Sequence, residues 1–120
     1  MSTYTLVMGA STNPARYAYM AIERLVQNDI SVKAFGLKKG TVGNVAIDNE
    51  LVDYPDIDTV TLYLGPSNQP EYYNYIINLK PRRVIFNPGT ENPEFYNLLK
   101  ASGIEVEVAC TLVLLGTNQY

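Results

Sequence analysis

A short apolar segment near the start of the chain ends in a glycine and continues into small polar residues. The run is Val7-Met8-Gly9-Ala10-Ser11-Thr12-Asn13-Pro14. Asn13 is a favourable N-cap and Pro14 suits a first helical position, so the run predicts a strand, a tight turn and a helix. A helix N-terminus offers unpaired N–H groups and a positive dipole end, and glycine lets the backbone approach an anion. The run therefore predicts a phosphate-binding loop and a nucleotide-like ligand.

Two adjacent lysines follow the second predicted strand, in the segment Gly36-Leu37-Lys38-Lys39-Gly40. A domain that binds NAD places an acidic residue here to hold the ribose hydroxyls, whereas a lysine attracts a phosphate on the ribose. NADP carries that phosphate at the 2′ position and coenzyme A at the 3′ position. Arg16 falls in the first turn of the predicted helix, where a cation opposes the dipole unless an anion is bound nearby. The alternative for all three cations is an ordinary solvated surface position.

The phosphate-binding loop differs from the dinucleotide fingerprint G-x-G-x-x-G. Only Gly9 is present, and Ser11 and Asn13 stand in the places of the later glycines. A capped helix start with no ligand is the simpler interpretation of this loop. Glycines and small polar residues nevertheless occur in each of four loops that are expected to meet at the carboxyl edge of a sheet: 9–13, 36–43, 65–68 and 87–90.

Strand-like and helical patterns alternate along the chain. Strands are predicted over 5–8, 30–35, 58–64, 83–86 and 104–108, and helices over 13–28, over 69–79 and from 92 to about 103, with 92–93 again an Asn-Pro start. A further short strand within 44–51 is open, as is the type of the apolar segment 111–115. This alternation predicts an α/β fold with a doubly wound, mostly parallel sheet of five or six strands between two helical layers.

Composition limits the classes of function. The 120 residues are 47% hydrophobic and 18% charged, which predicts one globular domain over 1–120. The net charge of −3 argues against general binding to nucleic acids or membrane surfaces. The longest apolar run, 108–115, is too short for a membrane span. A single cysteine, Cys110, rules out an intramolecular disulfide and fits a reducing cytoplasm.

The chain contains no histidine. This absence removes an imidazole base, a histidine-based triad and a phosphohistidine from consideration. With one cysteine and no histidine, we expect no zinc site and no other bound metal. We find no catalytic constellation in the sequence and therefore assign no reaction.

The chain resembles the small stand-alone CoA-binding domain proteins of bacteria, which are Rossmann-like and similar to the CoA-binding domain of succinyl-CoA synthetase α subunits. The first motif looks like the family's V-x-G-A-S-x-N-P start, and the basic loop also matches. Further matching positions are Tyr19, Gly43, Pro66, Asn87, Gly89 and Cys110. The chain departs from the family pattern at Leu64-Gly65 and Val108-Ala109, where polar side chains are common.

The resemblance implies binding of coenzyme A or an acyl-CoA without implying a known reaction. In this hypothesis Gly9, Ala10 and Ser11 hold the diphosphate through backbone N–H groups and the Ser11 hydroxyl, with Asn13 at the helix start. Lys38, with Arg16 or Lys39, binds the ribose phosphate. The turns at Pro66 and at Asn87 to Gly89 flank the adenine or the pantetheine.

Two alternatives remain open from the sequence. One is a fragment of an NADP-dependent oxidoreductase, which keeps the argument from the lysines. The other is a regulatory or interaction module without a nucleotide ligand. Apolar residues at predicted loop tips, Leu37 and Leu64, leave open a homodimer or an unidentified protein partner.

Overall fold

The predicted alternation of strands and helices is confirmed by the computed structural model, which describes residues 3–120. The strands are β1 (Tyr4–Met8), β2 (Val32–Phe35), β3 (Gly40–Val42), β4 (Val45–Asp48), β5 (Ile57–Leu62), β6 (Arg83–Phe86) and β7 (Glu105–Val108). The helices are α1 (Tyr17–Gln27), α2 (Tyr73–Leu79), α3 (Pro93–Ala101) and α4 (Thr111–Gly116), and two 3₁₀ turns at Pro66–Asn68 and Pro70–Tyr72 precede α2. Within residues 3–120, no helix is both long and apolar enough to cross a bilayer.

The strands described in residues 3–120 belong to one seven-stranded sheet in the order β3-β4-β2-β1-β5-β6-β7. Strand β1 pairs in parallel with β2 on one side and with β5 on the other, so the chain reverses its direction of winding at β1. The remaining pairs are parallel except β3 with β4, which is antiparallel. The predicted doubly wound, mostly parallel sheet is therefore confirmed, and its switch point lies at the carboxyl end of β1.

Among residues 3–120 the sheet has seven strands instead of the expected five or six, because β3 forms within the predicted loop 36–43 and pairs with β4, which lies in the segment 44–51. Val42 pairs with Val45 across a two-residue connection, in which Gly43 has a φ of +59°. Val42, Val45 and Ile47 are buried. Alternating inward side chains thus stabilise β4, in the segment where the sequence leaves a short strand open, and β3, which is too short to be recognised from its periodicity.

Helices cover both faces of the sheet. On one face, Ile22 of α1 and Leu115 of α4 pack with Val7 and Ala34. On the other face, Ile76 of α2 and the α3 residues Phe95 and Leu99 pack with Met8 and Phe86, among other core residues. This arrangement gives the expected three layers, and the apolar segment 111–115 is helical because α4 packs against α1.

The two predicted Asn-Pro helix starts have different outcomes. Asn92 is the N-cap of α3, where its Oδ1 accepts from the Phe95 N–H at 3.3 Å, and this prediction is confirmed. Asn13 is not the N-cap of α1, because that helix begins at Tyr17 and Arg16 occupies the cap position without a side-chain bond. Asn13 instead closes a turn: its Oδ1 accepts from the Ala15 N–H at 3.0 Å and its carbonyl oxygen from the Arg16 N–H at 3.0 Å.

Candidate functional site

An open cleft of about 880 Å³ lies beyond the carboxyl ends of β1, β2, β5 and β6, at the switch point of the sheet. Segments of all four predicted loops line it. The lining residues are Gly9, Ala10, Ser11, Thr12, Ala15, Arg16, Tyr17, Ala18, Phe35, Gly36, Leu37, Lys38, Tyr63, Leu64, Gly65, Asn68, Tyr72, Pro88, Gly89 and Thr90. The volume lies in the upper part of the range that is usual for small-molecule sites.

The loop after β1 is held against the end of β2 by its own backbone. The N–H groups of Gly9 and Ala10 both donate to the Phe35 carbonyl oxygen, at 2.9 Å each. Both amides are therefore already bonded in this structure, and the predicted use of these two amides to hold a diphosphate is not supported by their geometry. Within residues 3–120, the amides of Ser11 and Thr12 have no such acceptor. The available donors of the loop thus lie one or two residues further along.

Ser11 retains a free hydroxyl hydrogen. Its Oγ accepts a hydrogen bond from the Asn13 N–H at 3.0 Å, which orients the side chain and leaves the O–H able to donate. Asn13 itself is exposed and does not line the cleft. Its contribution to the site is to shape the turn between β1 and α1.

Glycines bring the loops that follow β1 and β2 into direct contact. A Cβ atom at Gly36 would lie 2.3 Å from the Ala10 carbonyl oxygen, and one at Gly40 would lie 2.4 Å from Cγ2 of Thr12. Gly9 has a φ of +96°, and a Cβ there would lie 3.0 Å from the carbonyl carbon of Tyr63. The sequence analysis did not identify these roles of Gly36 and Gly40, because they depend on contacts between loops.

The charged side chains of the cleft are cationic. Among the described lining residues, Arg16 and Lys38 are charged and none is a carboxylate. Both lie on the wall that is formed by the loops after β1 and β2. Lys39 is exposed and does not line the cleft, so the structure separates the two adjacent lysines. Leu37 is 84% exposed at the rim, whereas Leu64 is partly buried in the cleft wall.

The opposite wall is held together by a buried glutamine that the sequence analysis missed. Gln69 is fully buried, and its Nε2 donates to the carbonyl oxygens of Leu64 at 2.9 Å and Thr90 at 2.8 Å. Its Oε1 accepts from Asn92 Nδ2 at 3.0 Å. The side chain thereby links the loop after β5 to the loop after β6. A polar residue between two prolines carries no sequence signal for such a bridge.

Asn87 is also a structural residue in this protein. It is 1% exposed, and its Nδ2 donates to Thr61 Oγ1 at 2.6 Å and to the Leu62 carbonyl oxygen at 2.8 Å. Its Oδ1 accepts from the Thr111 N–H at 2.9 Å. The predicted contact between Asn87 and a ligand is therefore not supported, because the amide is used to join β5, β6 and α4.

The other predicted residues near the loops after β5 and β6 differ in whether they line the cleft. Gly89 lines the cleft with a φ of +92°, and its N–H donates to Glu91 Oε1 at 2.9 Å. Pro66 is exposed and lies outside the lining. Cys110 is partly buried at the cap position of α4, also outside the lining.

Neither a metal site nor an activated tyrosine is evident in this region. Among residues 3–120, no three side chains of the metal-binding types come together. Burial raises the pKa of Tyr63, which lines the cleft, to about 12. The Tyr63 hydroxyl therefore keeps its proton at neutral pH, and among residues 3–120 this buried oxygen has no hydrogen-bond partner.

Solved structures with the same architecture exist. An uncharacterized protein known from its crystal structure is 47% identical, with a TM-score of 0.96 over 100% of this chain and 99% of its own. The Thermus thermophilus protein called cell-free ID.343 is 22% identical, with a TM-score of 0.85 over 99% of this chain and 91% of its own. A hypothetical protein from Pyrococcus horikoshii OT3 is 22% identical, with a TM-score of 0.86 over 98% of this chain and 84% of its own.

No curated protein matches this chain. The family model described as CoA binding domain matches residues 3–116, which is nearly the whole sequence. The match agrees with the doubly wound sheet and with a cleft at its switch point. The chain therefore belongs to the family of CoA-binding domains.

Proposed function

We propose that the cleft binds coenzyme A or an acyl-CoA, with the ribose phosphate at Lys38. The observation that carries this proposal is the charge of the lining: Arg16 and Lys38 are present, and no carboxylate is found among the described lining residues. A site for NAD requires an acidic group for the ribose hydroxyls, whereas a phosphorylated ribose requires a cation. Family membership favours coenzyme A over NADP as the source of that phosphate.

The diphosphate lies against the loop after β1. The Ser11 hydroxyl and the amides of Ser11 and Thr12 donate to its oxygens, and the Arg16 guanidinium adds a charged contact. Gly9 and Ala10 contribute by their shape, since their amides hold the loop to Phe35. Charge-assisted hydrogen bonds of this kind are the strong ones in phosphate recognition.

The uncharged remainder of the ligand extends along the other wall. Tyr63, Leu64, Tyr72 and Pro88 offer it apolar and aromatic surface. Gln69 supports this wall from behind, because it bonds the Leu64 and Thr90 carbonyl oxygens. The proposal assigns binding only, and no step of chemistry is attached to it.

Titration calorimetry with coenzyme A and dephospho-CoA tests the assignment of Lys38. A hydrogen bond to a charged group contributes about 1.5–3 kcal/mol, so Lys38→Ala should weaken coenzyme A binding by about 10- to 150-fold. Dephospho-CoA lacks the 3′-phosphate, so its affinity should change little. Lys39→Ala is the matched control, because it removes the same charge from the adjacent position outside the cleft.

If Lys38→Ala weakens coenzyme A and dephospho-CoA equally, Lys38 does not bind the 3′-phosphate. The proposal that the cleft binds coenzyme A would still stand. Binding of NADP alone, with neither form of coenzyme A, would favour the oxidoreductase alternative. If none of these nucleotides binds, the proposal fails and the interaction module becomes the better hypothesis.

A further inference from the structure

We infer that the site distinguishes acyl groups by charge: it accepts free coenzyme A or an uncharged acyl group and disfavours an acyl group that ends in a carboxylate. This inference rests on the proposed function, because it concerns the thiol end of the same ligand. It depends on two observations, the uneven distribution of charge along the cleft and the position of the Glu91 carboxylate.

The cations of the cleft lie at one end. Arg16 and Lys38 belong to the loops after β1 and β2, whereas the lining residues from the loops after β5 and β6 carry no charge. The phosphates of the ligand are its anionic groups, so they bind on the cationic wall. The inference places the pantetheine arm and its thiol, rather than the adenine, against the uncharged wall that contains Gly65, Pro88 and Gly89.

On the uncharged wall, a carboxylate accepts a hydrogen bond from a backbone N–H group. Glu91 Oε1 accepts from the Gly89 N–H at 2.9 Å, and Gly89 lines the cleft although Glu91 does not. None of the ion pairs among residues 3–120 includes Glu91. No cationic side chain in the described part of the chain therefore lies within ion-pair distance of the Glu91 carboxylate. The Gly89 amide is therefore not available to a carboxylate of the ligand, and the negative charge of Glu91 repels such a carboxylate.

The expected effect is moderate because Glu91 is exposed. Two unit charges several ångströms apart near a protein surface repel enough to change an affinity by about three- to tenfold, and salt screens the effect. An acetyl group and a succinyl group are attached through the same thioester. A succinyl group differs from an acetyl group by one methylene as well as by the terminal carboxylate, so the change of their affinity ratio in Glu91→Gln isolates the effect of the charge.

Calorimetry with acetyl-CoA and succinyl-CoA at low ionic strength tests the inference. Wild-type protein should bind succinyl-CoA about three- to tenfold more weakly than acetyl-CoA. Glu91→Gln keeps an oxygen that accepts from Gly89 and removes the charge, so it should bring the two affinities to within about twofold. Raising the salt to about 0.5 M should likewise bring the two affinities of the wild-type protein closer together.

Glu23→Gln is the matched control, since it changes the net charge equally from an exposed position of α1 outside the cleft. It should leave the acetyl-to-succinyl ratio at the wild-type value. Equal binding of both thioesters by wild type, or a difference that Glu91→Gln does not reduce, would overturn the inference while coenzyme A binding stands. Failure of acetyl-CoA and free coenzyme A to bind at all would instead overturn the proposed function, and this inference with it.

Discussion

Single residues without side chains decide how closely the loops of the cleft approach one another. Gly36 touches the Ala10 carbonyl oxygen and Gly40 touches Thr12, so two loops that are far apart in sequence form one wall. Gly9 has a positive φ and also faces the backbone of Tyr63. In each case a methyl group would meet neighbouring atoms at less than ordinary contact distance.

Replacement of Gly36 by alanine should affect both stability and binding. The new Cβ would lie 2.3 Å from a backbone oxygen that cannot rotate away, so Gly36→Ala should cost about 1–3 kcal/mol of unfolding free energy. The displaced Ala10 should also misplace the donors of Ser11 and Thr12, and coenzyme A should bind about tenfold more weakly. Urea denaturation and calorimetry measure the two effects.

The same substitution at Gly116 is the control. A Cβ there would meet no atom within 4 Å, and Gly116 ends α4 away from the cleft. Gly116→Ala should leave the coenzyme A affinity unchanged and stability equal or slightly higher. If Gly36→Ala behaves like Gly116→Ala, the tight contact of the two loops is not required.

Among the secondary-structure elements, the helix starts show how one sequence pattern can have two structural outcomes. Asn-Pro begins α3 directly, with Asn92 as its N-cap. The same pair at positions 13 and 14 forms a turn before α1, which begins at Tyr17. Asn92 also donates to Gln69 Oε1 at 3.0 Å and to the Tyr73 hydroxyl at 2.8 Å, so it joins α3 to the network behind the cleft.

Alanine substitutions at the two asparagines should therefore differ in cost. Asn92→Ala loses an N-cap and leaves Gln69 with an unpaired buried oxygen, which together should cost about 2–3 kcal/mol of unfolding free energy. Asn13→Ala removes only one bond in an exposed turn and should cost less than about 1 kcal/mol. Chemical denaturation of both variants measures the difference, and equal costs would mean that the buried network adds nothing to the cap.

Several elements could be predicted because their patterns are local. Strands β1, β5 and β6 are runs of apolar or β-branched residues next to turn residues, and α3 carries both a cap and an apolar stripe. The hairpin of β3 and β4 could not be predicted with the same certainty. Its strands have three and four residues. Strand β4 is stabilised by pairing with β2, β3 by pairing with β4, and both by burial of Val42, Val45 and Ile47.

In the molecule as a whole, an ion pair connects the amino ends of β5 and β6, at the edge of the sheet opposite the carboxyl edge that carries the cleft. Arg82 Nε donates to Asp58 Oδ1 at 3.0 Å, and the Arg82 N–H donates to the Asp58 carbonyl oxygen at 2.8 Å. The hydrogen bonds from Arg82, joined by one from Thr59, hold the pKa of Asp58 below its ordinary value despite partial burial. The pair therefore makes stability depend on pH.

The direction of that dependence follows from the lowered pKa. A carboxyl group whose pKa is lower in the folded state stabilises the protein above its unfolded pKa of about 3.9. That contribution should be lost as the pH falls through the lower folded-state pKa. Because both side chains are partly exposed, we expect the loss to be less than about 1 kcal/mol.

Unfolding free energies measured between pH 7 and pH 2.5 test this expectation. Asp58→Asn should flatten the acid side of the profile, whereas Asp29→Asn, at an exposed position outside the ion pairs described in residues 3–120, should retain it. An unchanged acid profile in Asp58→Asn would show that other carboxylates dominate the acid sensitivity.

The sequence predicts the class of fold, the sheet edge that carries the cleft and Lys38 as a candidate for binding the ribose phosphate. Each of these depends on residue type and on spacing within a short segment. The identity of the free donors could not be predicted in this way. The amides of Gly9 and Ala10 donate to the Phe35 carbonyl oxygen, and the Asn87 side chain forms hydrogen bonds that join β5, β6 and α4. Gln69 and Glu91 acquire their roles from loops that meet in space. Backbone amides and buried polar side chains must each find a partner, and which partner they find is decided only when distant strands are brought side by side.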